Sequence, residues 1–281
     1  CGTDLALFSG DYRVNLPIVP GHEFAGTVVR VGEAVDNNWL GQRVTAEINN
    51  TCFAYKHRIP CHACARGLVN HCQARTVTGI IDWDGAFAEE VVVPAGTLHK
   101  IPDTLDSLTA TLTEPLAAAL QTFVMTPVAG NETVVVLGAG RLGILIIFVA
   151  AIKGLRVIAV SRSVSKRERA IRYGAVESFS PETAERDVKN CTGGIGADIV
   201  VDATGNPLAQ ALSLVRPQGV IAVKTTCGLP AQGLDMTRLV VDEIRIQGSR
   251  CGPFEPAIEI HDCHQNQLKN LITSVCSLDE A

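Results

Sequence analysis

The sequence predicts an α/β protein in two parts, a β-rich region followed by a doubly wound parallel sheet. Three observations carry that expectation. Residues 1 to about 110 are short apolar stretches punctuated by Pro17, Pro20, Gly21, Gly26, Gly32, Gly41 and Pro94, the pattern of short strands and turns. From about residue 130, apolar runs at 133–137, 156–160, 199–201 and 219–223 alternate with helix-length segments. Strands spaced in that way join through right-handed crossovers into a parallel sheet. The length of 281 residues corresponds to about two domains.

Composition narrows the function classes. Hydrophobic residues make up 47% and charged residues 19%, which excludes a disordered chain. The formal net charge of −5 recommends neither nucleic acid nor an anionic membrane as a partner. The longest apolar run, 142–152, lies between Arg141 and Lys153 and falls short of the ~18 residues of a membrane span, so it reads as a buried helix. The Ala- and Leu-rich stretch 109–126 reads as one helix joining the two parts. The expected setting is cytoplasmic. The chain opens on Cys1 rather than Met, without a signal-peptide pattern, and reads as a fragment or a trimmed chain.

The ten cysteines are unevenly spread, with four of them between Cys52 and Cys72. The tail of this cluster reads Cys61-His-Ala-Cys64-Ala-Arg-Gly67-Leu-Val-Asn-His-Cys72. Two thiolates separated by two residues grip one tetrahedral ion from a tight turn, and Gly67 lets the chain curl back so that Cys72 closes the site. Four sulfurs around one Zn2+ leave no open position, so such a site is structural. The competing reading is a group of ordinary buried cysteines. His57, His62 and His71 read as bystanders. Cys191, Cys227, Cys251 and Cys276 read as small apolar core residues.

After the run 133–137 comes Gly138-Ala139-Gly140-Arg141-Leu142-Gly143, a G-x-G-x-x-G between a strand and a helix. Gly138 makes the turn, Gly140 admits a pyrophosphate to the backbone, and Gly143 lets the helix pack on the sheet. Arg141 and Leu142 open the helix whose N-terminus would face the anion. The following strand ends in Ser161-Arg162-Ser163, with Lys166 and Arg167 beyond it, and lacks the carboxylate that usually holds a ribose 2′-hydroxyl. Arg162 can instead pair with a 2′-phosphate, so NADP(H) is preferred over NAD(H). The alternative is that these cations are the solvated face of a helix. Asp202-Ala-Thr204-Gly205 and Lys224-Thr-Thr226 end later strands and read as cofactor-cleft lining, and residues 249–253 read as approaching the nicotinamide.

Cys1-Gly-Thr3-Asp4, Gly21-His22-Glu23-x-x-Gly26-x5-Gly32-x-x-Val35, the cysteine cluster, Glu114-Pro-Leu and the dinucleotide glycines occur in one order. Together they resemble the zinc-dependent alcohol dehydrogenases of the medium-chain dehydrogenase/reductase superfamily, near its sorbitol, threonine and glucose dehydrogenase branches. The resemblance implies a GroES-like catalytic domain over 1–112, a Rossmann domain over 113–258 and a return to the catalytic domain over 259–281. It implies Cys1, His22, Glu23 and Glu114 as candidate ligands of a catalytic zinc, Thr3 as proton relay, and Asp4 as the carboxylate orienting His22. The implied reaction is alcohol oxidation or carbonyl reduction. The metal lowers the pKa of a bound hydroxyl, the hydride goes to nicotinamide C4, and the proton leaves through Thr3 and the cofactor ribose. A small-molecule alcohol or carbonyl substrate and a homodimer or homotetramer are implied as well.

Two departures accompany the resemblance. The family's first pair of structural cysteines is two residues apart, but Arg58 stands three before Cys61 and the nearest upstream thiol is Cys52. Either Cys52 serves through a longer loop, the preferred reading because it follows the strand-like 44–48, or the site keeps three sulfurs. The family also has a further β-rich stretch before the Cys1 position and a closing segment beyond Ala281, so the chain is expected to be truncated at both ends. The competing functions are a zinc-independent quinone- or enoyl-type reductase of the same superfamily and a non-catalytic dinucleotide-binding fragment. The run His261-Asp-Cys263-His264 looks like a small metal cluster without a family counterpart.

Overall fold

The apolar run at residue 133 becomes a strand buried on both sides, with Val134, Val135 and Val136 at 0% exposure. A strand sealed on two faces belongs at the centre of a parallel sheet covered by helices. The computed structural model describes residues 2–205, 208–224 and 234–280. The chain forms two compact units, Cys1–Ala117 with Pro253–Ala281, and Ala118–Gly252.

The first unit opens with helix α1 (Gly2–Ser9), then strands β1 (Gly26–Thr27), β2 (Arg43–Ala46) and β3 (Asn49–Asn50). It continues with α2 (His62–Ala65), β4 (Thr76–Val77) and β5 (Leu98–Lys100). β1, β2 and β5 form an antiparallel sheet in which Val44 pairs with Gly26 on one side and Lys100 on the other. β3 and β4 form a two-stranded ladder beside the cysteine loop. The Arg43 guanidinium hydrogen-bonds the Leu105 carbonyl and Ser107 Oγ, tying β2 to the following segment.

The stretch expected as one helix over 109–126 is two, α3 (Ser107–Ala110) and α4 (Thr113–Met125). Asp106 caps α3 by accepting from the N–H groups of Leu108 and Thr109. Pro115 has no N–H to donate back to Thr111, so a continuous helical ladder cannot pass that point. The helix restarts with Pro115 in its first turn, where a missing donor is harmless.

The second unit contains β6 (Thr133–Leu137), α5 (Arg141–Ile152), β7 (Arg156–Val160), α6 (Val164–Arg172), β8 (Glu177–Phe179) and α7 (Ala184–Cys191). It closes with β9 (Ala197–Asp202), α8 (Leu208–Leu214), β10 (Val215–Val223), α9 (Met236–Val241) and β11 (Arg245–Gly248). The six strands are parallel in the order β11-β10-β9-β6-β7-β8. Numbered from β6, that order reads 6-5-4-1-2-3, the doubly wound arrangement whose ligand crevice opens where the order reverses. The reversal lies between β6 and β9, at the carboxyl ends Leu137 and Asp202, which pair in register. The run 142–152 is α5, buried from Gly143 through Ala150. The chain then contributes α10 (Phe254–Leu268) to the first unit. Cys191 packs against the sheet core, whereas Cys276, expected in a core, is exposed. Cys276 lies in the irregular, exposed chain between two short 3-10 turns, Lys269–Leu271 and Leu278–Glu280. Cys227 lies outside the described residues.

Candidate metal centres and dinucleotide cleft

The four clustered cysteines converge. One sulfur from each of Cys52, Cys61, Cys64 and Cys72 lies within 4.8 Å of the others. Cys52 Sγ is 3.5 Å from Cys72 Sγ, and Cys61 Sγ is 3.8 Å from it. The eight residues between Cys52 and Cys61 therefore loop out and return, bringing the Cys61 N–H to 3.4 Å from Cys52 Sγ. Backbone N–H groups of Cys64 and Gln73 pull the Cys61 thiol down to about 6. Burial pushes Cys64 up to about 12, with the neighbouring sulfurs adding to the rise. One thiolate among crowded buried thiols is electrostatically poor alone and suits a cation, whose binding deprotonates all four. Cys52 is the ligand-type residue that spacing alone leaves open and the geometry brings in. His57 is turned aside, its ring stacked on Tyr55 with centroids 5.6 Å apart.

A second convergence involves His22, Glu23 and Glu114, whose ligand-type atoms also lie within 4.8 Å of one another. His22 is 3% exposed. The residues before it are fixed by a facing loop: Gly85, Phe87 and Ala86 donate their N–H groups to the carbonyls of Val19, Pro20 and Gly21 at 2.7, 3.0 and 2.8 Å. Asp4, on α1, reaches the same point, with Oδ1 3.3 Å from His22 Nδ1 and 3.3 Å from the Gly21 nitrogen. Burial opposes the charge on both partners. For His22 it is outweighed by the Asp4 hydrogen bond and the charges of Glu114, Asp4 and Glu23, so the imidazole pKa is raised. For Asp4 it is outweighed by the His22 hydrogen bond and charge, which hold the carboxyl at about 2. A carboxylate facing Nδ1 at this ion-pair distance favours the proton there and leaves Nε2 as the lone-pair nitrogen. One imidazole and two carboxylates converging out of bulk water form a donor set for a hard or borderline cation such as Zn2+. Thr3 is on α1 immediately before Asp4. Cys1 lies outside the described residues.

The third site belongs to the parallel-sheet unit, a cleft of about 620 Å3 lined by residues 137–140, 160–163, Lys166, Pro181, 203–204 and Gln210. Gly138 sits at φ +90°, and a Cβ there would meet Thr204 Cγ2 at 2.5 Å. The Asp202 carboxylate sets that threonine by accepting from Thr204 N, Thr204 Oγ1 and Gly205 N at 2.8, 3.0 and 3.1 Å. Gly140 caps α5, and a Cβ there would meet nothing within 4 Å, leaving open space in front of the helix N-terminus. An open, unobstructed helix start fits the pyrophosphate of a dinucleotide.

Of the residues expected in this cleft, Gly138, Gly140, Ser161, Arg162, Lys166 and Thr204 line it. Arg141, Leu142, Gly143 and Gly205 stand behind that lining, and Gly143 packs against the Gly138 carbonyl. Arg167 is committed elsewhere, since its Nη1 donates to the carbonyls of Ser161 and Arg162 at 2.7 and 3.1 Å. Pro181 and Gln210 were not expected. Pro181 follows β8 and Gln210 lies in the first turn of α8, and the Gln210 side chain donates to the Pro181 carbonyl at 3.0 Å. No local motif marks that pair. Thr225 and Thr226 lie outside the described residues. The run 261–264 gathers no metal-type cluster among the described residues, because His261 is buried against Thr113 while Cys263 is exposed.

Comparison with known proteins gives two family matches. An alcohol dehydrogenase GroES-like domain matches residues 1–103, and a zinc-binding dehydrogenase domain matches residues 142–265. Sorbitol dehydrogenase of Halalkalibacterium halodurans is 31% identical over all of this chain and 82% of its own length. L-threonine 3-dehydrogenase of Pyrococcus horikoshii is 36% identical over 79% of this chain, which spans 64% of that protein. Among solved structures, a protein of Sinorhizobium meliloti 1021 bound to NADP superposes with a TM-score of 0.89 at 30% identity, covering 100% of this chain and 83% of that one.

Proposed function

The chain belongs to the zinc-dependent alcohol dehydrogenases of the medium-chain dehydrogenase/reductase superfamily, with their GroES-like and Rossmann-type folds, and on that premise we propose that it transfers a hydride between an alcohol or polyol, or the corresponding carbonyl, and a nicotinamide cofactor, preferring NADP(H) to NAD(H). The observation that carries the reading is the convergence of His22, Glu23 and Glu114, with Asp4 behind the imidazole. A zinc-independent reductase has no use for that donor set.

Bound zinc would supply Lewis acidity to a substrate oxygen, and the nicotinamide would give or take the hydride. His22, Glu23 and Glu114 would hold the metal, joined by Cys1 from the family pattern. Asp4 keeps His22 in the tautomer that presents Nε2. Thr3 would carry the substrate proton outward. Cys52, Cys61, Cys64 and Cys72 would hold a second, structural zinc that pins their loop. In the other unit Gly138 and Gly140 admit the pyrophosphate, and Thr204 closes the turn beside it.

The preference for NADP(H) rests on Ser161, Arg162 and Lys166 in the cleft lining, with no carboxylate among them. The NADP-bound Sinorhizobium structure supports it. By family analogy the protein would be a homodimer or homotetramer, and its cysteine-rich composition without disulfides among the described residues suits a cytoplasmic setting. No described helix is long and apolar enough to cross a membrane.

Elemental analysis of the purified chain tests the metal reading, with about two zincs per chain expected from one closed and one open site. A chain with zinc only on its thiolates overturns it. Steady-state kinetics with sugar alcohols test the cofactor reading. Arg162→Ala should raise KM for NADP+ at least tenfold and leave NAD+ within about twofold, as expected for loss of a charge-assisted phosphate contact. Equal losses for both cofactors would remove the preference.

A further inference from the structure

His261 of α10 is fully buried, at 0% exposure. Its Nδ1 stands 3.4 Å from Thr113 Oγ1, across 148 positions of sequence, while its Nε2 is buried without a hydrogen-bond partner. Burial pushes the imidazole pKa down to about 4 against the charges of Asp106 and Asp262, so the ring is neutral at pH 7. A sealed imidazole with one nitrogen orphaned is a poor choice for packing alone, because an apolar side chain of similar volume carries no such penalty. Its return is the contact with Thr113.

That contact falls at a sensitive place. Thr113 is the first residue of α4 and Glu114 the second. The first N–H groups of a helix have no partners within it, and Pro115 offers none at all, so this turn is held in place by contacts from outside. α10, with Lys269 just beyond it, also ties down the chain ahead of α3 at Thr104 and Asp106. Thr104 Oγ1 donates to Asp262 Oδ1 at 2.6 Å, the Gln265 amide donates to the Thr104 carbonyl at 2.9 Å, and Lys269 Nζ lies 3.4 Å from Asp106 Oδ2. Among these hydrogen bonds and ion pairs of the described residues, the His261 contact is the one that reaches Thr113, next to Glu114.

We propose that His261 is a positioning residue for the candidate catalytic metal centre, acting through Thr113 to hold the Glu114 carboxylate against His22 and Glu23. The proposal rests on the zinc reading of that cluster.

The test follows zinc release from the purified chain to a chromogenic chelator, together with kcat and KM for alcohol oxidation, in His261→Leu, His261→Asn and Thr113→Val. The Leu and Val variants should release one of two zincs at about tenfold lower chelator concentration, the effect of removing an outer partner of a ligand. The other zinc should not move. The Asn variant, whose amide stands where Nδ1 stood, should recover most of the loss, and the Leu/Val double variant should be no worse than either single one. Unchanged release in Thr113→Val, or equal behaviour of the Asn and Leu variants, overturns the proposal while leaving the zinc reading intact. If His261→Leu does not fold, Thr113→Val decides alone. A wild-type chain holding zinc only on its four thiolates overturns both.

Discussion

A methyl group added at Gly143 would lie 1.8 Å from the Gly138 carbonyl oxygen, whereas one added at Gly140 would meet nothing within 4 Å. The two glycines of one motif therefore answer to different demands. Gly143 allows α5 to close on the strand-to-helix turn, and its role belongs to folding. Gly140 keeps the space in front of the helix clear, and its role belongs to the ligand. Substitution by alanine should separate the two. Gly143→Ala must push the turn open and is expected to lose about 3 kcal/mol in urea unfolding, in the range of core overpacking, and NADPH binding with it. Gly140→Ala should unfold within about 0.5 kcal/mol of wild type and still bind NADPH at least tenfold more weakly by fluorescence titration, since its methyl group would stand where the pyrophosphate approaches. Equal stability losses in both variants would contradict this division.

At the scale of elements, the central parallel strands were legible because they are buried on both faces, whereas the half-buried edge strand β8 left no apolar run to read. Residues 133–137 and 156–160 are nearly unbroken apolar runs, and β6 and β7 have those same limits. The first unit was legible as strand-and-turn chain but not in its pairing. Its strands are two to four residues long, and much of its order comes from backbone bonds between distant loops, such as 85–87 onto 19–21. Such bonds use atoms every residue has, so composition and periodicity carry no trace of them. The His22–Glu23 and Glu114 motifs were visible in the sequence, whereas the pairing of Thr113 with His261 was not. That pairing has a pH signature. The folded pKa of about 4 lies below the unfolded value near 6.5, so the unfolded chain binds the proton first as pH falls. The stability from neutral His261 is complete above about pH 6.5, falls by about 2 kcal/mol by pH 5, and is gone near pH 4. Asp106 and Asp262, the charged groups that raise the ring's pKa, temper the loss. Urea midpoints at pH 7 and pH 5 should therefore converge for His261→Leu more closely than for wild type. An identical acid shift in both would place the sensitivity elsewhere.

For the molecule as a whole, the two kinds of site sort cleanly by unit. Both candidate metal centres draw every described ligand from residues 22–114, inside the unit Cys1–Ala117 with Pro253–Ala281. The dinucleotide cleft is lined wholly by residues 137–210, inside Ala118–Gly252. A ligand that binds only the native form of a site stabilises that form by RT ln(1 + [L]/Kd), about 2.7 kcal/mol at a hundredfold excess over Kd. Local opening in each unit should then respond to a different reagent. Hydrogen exchange followed by mass spectrometry reads both at once, because amides report the free energy of the opening that exposes them. NADP+ should slow exchange about a hundredfold in peptides covering 137–143, 160–166 and 202–205, and leave peptides over 52–72 unchanged. A zinc chelator should do the reverse, speeding exchange across 52–72 and in the segments carrying His22 and Glu114 while 133–160 keeps its protection. Faster exchange of the sheet strands on chelation would mean that metal in the first unit supports the fold of the second, and the separate assignment of the sites would fail.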